Sequence, residues 1–190
     1  MIYPPVPTQL YSPEYSRNEN LIVSLGRVVP EKRFDLIGVV GPRVPEAKFI
    51  LIGGADDTGR KIVREIEEKF GKAGLIGNFT YLGRVSQLEK RSILQKAKVL
   101  FHPAPYESFG IAIVEGMAAG AIPVAHNSGA APEYVSYDGL FVDVEEAAEK
   151  IRNALGEGAS ARKEIREVAL KFSEERFKNE LLTVVDWFIS

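Results

Sequence analysis

The chain reads as an α/β protein with a doubly wound parallel sheet of about six strands and helices on both faces. Three observations lead there. From Asn20 onward, short β-rich runs ending in Gly or Pro alternate with helical stretches. Such alternation means right-handed strand–helix–strand crossovers in a parallel sheet. At 190 residues, 45% apolar and 26% charged, the chain is long enough for a real core without disulfides or structural metal. Finally, Ser86-Gln87-Leu88-Glu89 is a capping box, whose hydroxyl and carboxylate satisfy opposing backbone N–H groups at a helix start.

Taken in order, residues 1–19 carry Pro4, Pro5, Pro7 and Pro13, a density that favours extended chain and forbids a helix. They read as a linker into a domain of residues 20–190, with something expected upstream. Strands are predicted at Leu21–Leu25, Lys48–Ile52, Phe79–Leu82, Val99–His102, Ile122–Ala125 and Leu140–Val142. Helices are predicted near Phe34–Val40, Gly59–Phe70, Gln87–Ala97, Ile111–Ala119, Pro132–Val135 and Glu145–Ala154. Two more close the chain, near Ala161–Lys171 and Glu174–Ile189. The last, ending Leu181-Leu182-Thr183-Val184-Val185-Asp186-Trp187-Phe188, is too apolar to lie free and must pack on this domain or a neighbour. Together these make a Rossmann-like layer.

Composition excludes several functions. There are no cysteines, so a disulfide scaffold, a thiolate metal site and cysteine catalysis are out; the absence fits a reducing cytosol. A formal net charge of −2 argues against a nucleic-acid binder. No apolar run approaches the roughly 18–20 residues that span a bilayer, and the N-terminus lacks a signal-peptide layout. Membrane insertion is therefore not expected, while peripheral contact is compatible.

In open α/β sheets ligands bind beyond the carboxyl ends of the strands. No GxGxxG follows the first strand and no GxxxxGK[ST] occurs, so a dehydrogenase or epimerase reading loses its main support. After the first strand, Gly26-Arg27-Val28-Val29-Pro30-Glu31-Lys32 places two cations five residues apart around a helix start. Arg27 and Lys32 suit a diphosphate, although by spacing alone a solvated loop pair is the simpler account. Within Tyr106–Gly120, the helix from Ile111 is apolar on every side and so is expected to be buried, yet it carries Glu115. An unpaired buried carboxylate is very costly, so Glu115 needs strong donors: sugar or ribose hydroxyls, or an internal Arg. Glu107 precedes that helix, either as its cap or as a sugar ligand beside the Phe109 and Gly110 amides, which with the helix dipole can hold phosphate. His102 and His126 fall on the ligand-binding edge and read more readily as structural than catalytic; with no third ligand in spacing, no metal site is expected. Asp56-Asp57 reads as a helix-start acidic pair.

At these residues the sequence resembles the retaining GT-B glycosyltransferases typified by glycosyl transferases family 4. Glu107 and Glu115 match its EX7E signature, and Gly26-Arg27 with Lys32 matches its diphosphate segment. Ser128-Gly129-Ala130-Ala131-Pro132-Glu133 resembles its glycine-rich loop, with Ala130 for the usual second Gly and Ala104 where a Ser is common. The likeness covers nearly the whole chain but only the C-terminal, donor-binding half of such an enzyme. It implies that Arg27 and Lys32 hold the diphosphate, Glu107 meets the donor sugar within a Glu107-Ser108-Phe109-Gly110-Ile111 cradle, and Glu115 binds ribose. Gly83-Arg84-Val85 would recognise the base, largely through backbone groups. The helix around Trp187 resembles the segment that crosses back to an N-terminal acceptor domain, which this chain lacks, and no metal is needed for catalysis. A narrower likeness joins Tyr3-Pro4-Pro5, Ala118-Ala119-Gly120 and Ala125-His126-Asn127-Ser128-Gly129 to α-1,2-mannosyltransferases that extend lipid-linked oligosaccharides with GDP-mannose. The resemblance thus implies a cytoplasmic enzyme, at a membrane face, moving a hexose from GDP-mannose or another nucleotide sugar to a glycan or lipid-linked acceptor. The alternative is a non-catalytic nucleotide-sugar-binding module, or one part of a split enzyme.

Overall fold

The computed structural model describes residues 2–13, 15 and 20–189. Its strands are β1 (Leu21–Leu25), β2 (Lys48–Ile52), β3 (Phe79–Gly83), β4 (Val99–His102), β5 (Ile122–His126) and β6 (Leu140–Phe141), each within one residue of expectation. They form one parallel sheet in the order β3-β2-β1-β4-β5-β6. The helices are α1 (Ile37–Val40), α2 (Asp57–Lys72), α3 (Gln87–Lys96), α4 (Ile111–Ala118), α5 (Val144–Gly156), α6 (Ala159–Leu170) and α7 (Glu174–Ile189). Both elements of the capping box at Ser86 and Glu89 are present, and Asp56 caps α2 by accepting from the Gly59 amide.

Side chains alternate along β1. Ile22 enters one core with α1, α2 and α5, while Leu21 and Val23 enter a second core with α3, α4 and α6. The sheet is thus covered on both faces, as parallel sheets require.

Two predicted helices differ. Phe34–Val40 is not one helix but a 3₁₀ turn at Phe34–Leu36, the four-residue α1, and a second 3₁₀ turn at Gly41–Arg43. Close packing explains the break. A Cβ on Gly38 would lie 3.1 Å from the Ile66 Cα, and one on Gly41 would overlap the Phe70 ring. Bare backbone therefore closes on α2, at the cost of helix propensity. Pro132–Val135 is reduced to a 3₁₀ turn at Ala131–Glu133.

The proline-rich start packs along the α4 side of the domain. The Val6 amide donates to the Phe172 carbonyl at 2.8 Å, and the Tyr3 ring meets Phe172 and Phe109 at 5.3 and 5.8 Å. Tyr11 is buried. At the opposite end, α7 buries none of its residues, and Leu182, Phe188 and Ile189 stay exposed. Of the two expected covers for this helix, its own domain supplies none. Among the described residues, no helix is long and apolar enough to cross a membrane.

Arg162 on α6 is the largest fully buried side chain. Its Nε donates to the Gly120 carbonyl at 2.8 Å and its Nη2 to the Ala97 carbonyl at 3.1 Å. Those carbonyls sit just past the C-termini of α4 and α3, where unpaired acceptors and the negative end of the helix dipole collect. Arg162→Met keeps the stem but strands both acceptors. We expect it to lower stability by about 2–4 kcal/mol, read as a drop in Tm of roughly 5–15 °C.

Candidate functional site

The strand order reverses between β1 and β4, which opens a crevice at their carboxyl ends. The Gly26–Lys32 segment leaves β1 on one side of it, and the loop from His102 to Gly110 leaves β4 on the other. The two meet through an ion pair: Lys32 Nζ lies 2.5 Å from Glu107 Oε2. From β4, the buried His102 places its Nε2 at 3.0 Å from the same oxygen. Since a carboxylate oxygen only accepts, Nε2 carries the proton. The His102 hydrogen bond does most to hold the Glu107 carboxyl down to about 2, with Lys32 adding to it and burial opposing both.

Both donors use Oε2, so Glu107 Oε1 has no partner among the described residues. The Glu107 side chain is 19% exposed. The loop that carries it is tightly fixed. Tyr106 has a left-handed φ of 55°, and its amide donates to Ser128 Oγ at 2.9 Å. The Ala130 amide donates to the Glu107 carbonyl at 2.9 Å. Gly129, at φ 61°, lies so close that a Cβ there would overlap the Glu107 backbone, which explains why the glycine-rich loop tolerates Ala at 130 but not here. Ser128 Oγ also sits 2.8 Å from His126 Nδ1, whose ring burial keeps below its ordinary pKa.

Glu107 does not cap α4; Gly110 does, at φ 82°. The first intrahelical bond runs from Ile113 to Gly110, so the amides of Ile111 and Ala112 remain available at the positive end of the helix. Gly26, Lys32, Glu107, Ser108, Phe109, Gly110 and Ile111 share one cavity of 310 Å³, with His102 in its wall. Ile111 is exposed at its mouth rather than buried, unlike the rest of the helix from Ile113 to Ala118. Arg27 lies next door, lining a 470 Å³ cavity with Gly54, Asp56 and Arg84. The two cations expected on one diphosphate thus approach it from adjacent cavities. Arg27 makes no hydrogen bond or ion pair among the described residues, whereas Lys32 is already paired. Arg84 also borders a third cavity of 330 Å³ with Val85, and Gly83 ends β3 with its carbonyl accepting from the Gly53 amide.

Glu115 lines none of these cavities. Its Oε1 accepts from Lys90 Nζ at 2.6 Å and from the Tyr11 hydroxyl at 3.0 Å. The internal partner is therefore a lysine and a tyrosine, not an arginine. Oε2 has no partner among the described residues. Both glutamates share one design: two protein donors saturate one oxygen and the other is left over. Burial and the charge of Glu115 push the Tyr11 hydroxyl pKa up, so it remains a donor. Among the described residues no three His, Asp or Glu side chains gather where they could hold a metal ion.

The profile of glycosyl transferases group 1 matches residues 11–172. The chain belongs to that family. The GDP-Man:Man(3)GlcNAc(2)-PP-Dol alpha-1,2-mannosyltransferase of Mus musculus is 30% identical over 94% of this chain and 42% of its own length. Its Dictyostelium discoideum namesake is 34% identical over 53% of this chain and 21% of its own. The chain thus spans less than half the length of these relatives. Among solved structures, Anabaena Alr3699/HepE in complex with UDP and glucose superposes with a TM-score of 0.84 at 21% identity, over 97% of this chain and 56% of that one. Sucrose-phosphate synthase from Thermosynechococcus elongatus gives 0.85 at 21%, over 99% and 52%. The fold is the C-terminal half of a GT-B glycosyltransferase.

Three residues that brace the two glutamates are not assigned to a site by the sequence: Tyr11 lies in a stretch that reads as linker, Lys90 on a helix face with no motif, and His102 reads more readily as structural. Only His102 carried a signal, its place at the end of a central strand.

Proposed function

We propose that this chain is the donor-binding half of a retaining glycosyltransferase that takes GDP-mannose and moves mannose to a glycan or lipid-linked acceptor. The observation that carries the reading is the ionised, two-donor-braced Glu107, which lines one cavity with Lys32 and the start of α4. That cluster offers cations and helix amides to a diphosphate and a carboxylate acceptor to sugar hydroxyls. Lys32 and Arg27 would stabilise the charge that develops on the departing nucleoside diphosphate. Glu115 is held through Oε1 by Lys90 and Tyr11 and would meet a ribose only through Oε2, while the backbone around Gly83, Arg84 and Val85 would meet the base. Mannose and guanine are favoured by the names of the relatives in mouse and Dictyostelium. The reading places the protein at the cytoplasmic face of a membrane.

Thermal denaturation with GDP, GDP-mannose, UDP, ADP and NAD tests the donor. At a ligand concentration 100 times Kd the stabilisation is about 2.7 kcal/mol, a rise of roughly 5–10 °C for a chain of this size. The expected result is that rise with GDP and GDP-mannose, cut to roughly 1–5 °C in Arg27→Ala by an affinity about 10–100-fold weaker. A response to UDP alone overturns the mannosyl donor.

The exposed apolar face of α7 favours a second reading, in which this chain binds the donor but turns over only beside an acceptor domain on another chain. Turnover by this chain alone excludes it.

A further inference from the structure

We infer that His102 is the positioning residue of this site: its Nε2–H holds Glu107 Oε2 so that Oε1 keeps facing the donor sugar when the diphosphate draws Lys32 away. The inference rests on the reading of Glu107 as the sugar contact. Two donors share Oε2, and they differ in freedom. Lys32 is about a quarter exposed on a flexible stem, and as a cation it is attracted by any incoming phosphate. The His102 ring is 3% exposed on a central strand and cannot follow. It remains on Glu107 whatever Lys32 does.

A cost marks the arrangement as more than packing. His102 Nδ1 is buried with no partner, one of two such side-chain atoms among the described residues. Buried polar atoms are normally satisfied, and an orphan asks for a reason. A Leu in this position would carry no such penalty, while Nε2 finds its partner on the one carboxylate the cavity presents. The groups facing Glu107 are His102 from β4, Lys32 from the segment after β1, and Tyr134 from the turn after β5, whose hydroxyl donates to the Phe109 carbonyl. Of these, only His102 is both buried and bonded to the carboxylate.

The test is carboxyl ¹³C NMR of Glu107 in the full chain, followed from pH 7 to 4 in wild type, His102→Leu and His102→Gln. In wild type the carboxyl stays ionised throughout. In His102→Leu protonation is expected to enter this window, and His102→Gln, which can still donate, pulls it back toward wild type. The Tm of His102→Leu is expected to lie below that of wild type at pH 7 and to approach it as pH falls toward 3, because a carboxyl no longer held down by His102 contributes less stability. A purely structural histidine predicts an unmoved carboxyl and a Tm deficit that does not close as pH falls, and either result overturns the inference. With an N-terminal half supplied, transfer by His102→Leu should fall on the order of 10–100-fold with nucleotide affinity held within about twofold. A moved carboxyl together with full transfer in Glu107→Gln separates the cases: the contact is real and the donor reading is wrong.

Discussion

Glu107→Gln is expected to cut sugar transfer by about 10²–10³-fold, with affinity for the nucleoside diphosphate unchanged or tighter. The amide keeps the size of the carboxylate and can still accept from His102, so the loop clamped by Ser128 and Ala130 should hold its shape. What it loses is the ionised acceptor. Sugar hydroxyls then face a neutral group, and a charge-assisted bond becomes an ordinary one. Lys32 gains freedom to meet phosphate, which is why binding does not suffer with transfer. A binding-only role for Glu107 predicts the reverse: affinity falls and turnover at saturation survives.

The same substitution has a stability signature with a definite sign. Glu107 titrates near 2 in the folded chain against an ordinary 4.5. A carboxyl depressed on folding contributes stability that is complete above about pH 5 and disappears as pH falls toward 2. In Glu107→Gln this part of the acid loss is absent, so the two proteins should converge in Tm as pH is lowered from 6 to 3.

The second large effect concerns the cations. Arg27→Met and Lys32→Met should each weaken nucleoside diphosphate binding by roughly 10–100-fold, the equivalent of one charge-assisted contact of about 1.5–3 kcal/mol. Their side effects differ. Arg27 is exposed and makes no side-chain hydrogen bond or ion pair among the described residues, so its loss should leave Tm within about 1 °C. Lys32 is half-buried against Glu107, and its loss leaves a carboxylate supported by His102 alone. Lys32→Met should therefore lower Tm as well, and less so when combined with Glu107→Gln, because the two residues share one interaction. Mononucleotides without the second phosphate should bind all variants almost alike.

The sheet was readable from the sequence because its signals are local. The first five strands are short apolar runs closed by Gly, Pro or His, and the caps at Ser86 and Asp56 mark their helices unaided. Phe34–Val40 failed because what interrupts it is contact with Ile66 and Phe70, some 30 residues away. The site divided along the same line. Glu107, Glu115, Arg27 and Lys32 stood out as charges where local pattern gave no reason for charge. Their partners did not. Tyr11 reaches Glu115 across 104 positions and Lys90 across 25, and neither pairing leaves a trace in spacing. Arg162 is a similar case: it shares the inward face of α6 with Ile165 and Ala169, but only the meeting of two helix ends accounts for a charge there.

The central claim is that a diphosphate docks between the segment after β1 and the start of α4. Amide NMR on the full chain, titrated with GDP and in parallel with guanosine, tests it most directly. The account predicts saturable shifts at Gly26, Arg27, Ile111 and Ala112 with GDP that guanosine does not reproduce. Saturable GDP binding that leaves the Ile111 and Ala112 amides unmoved would contradict it.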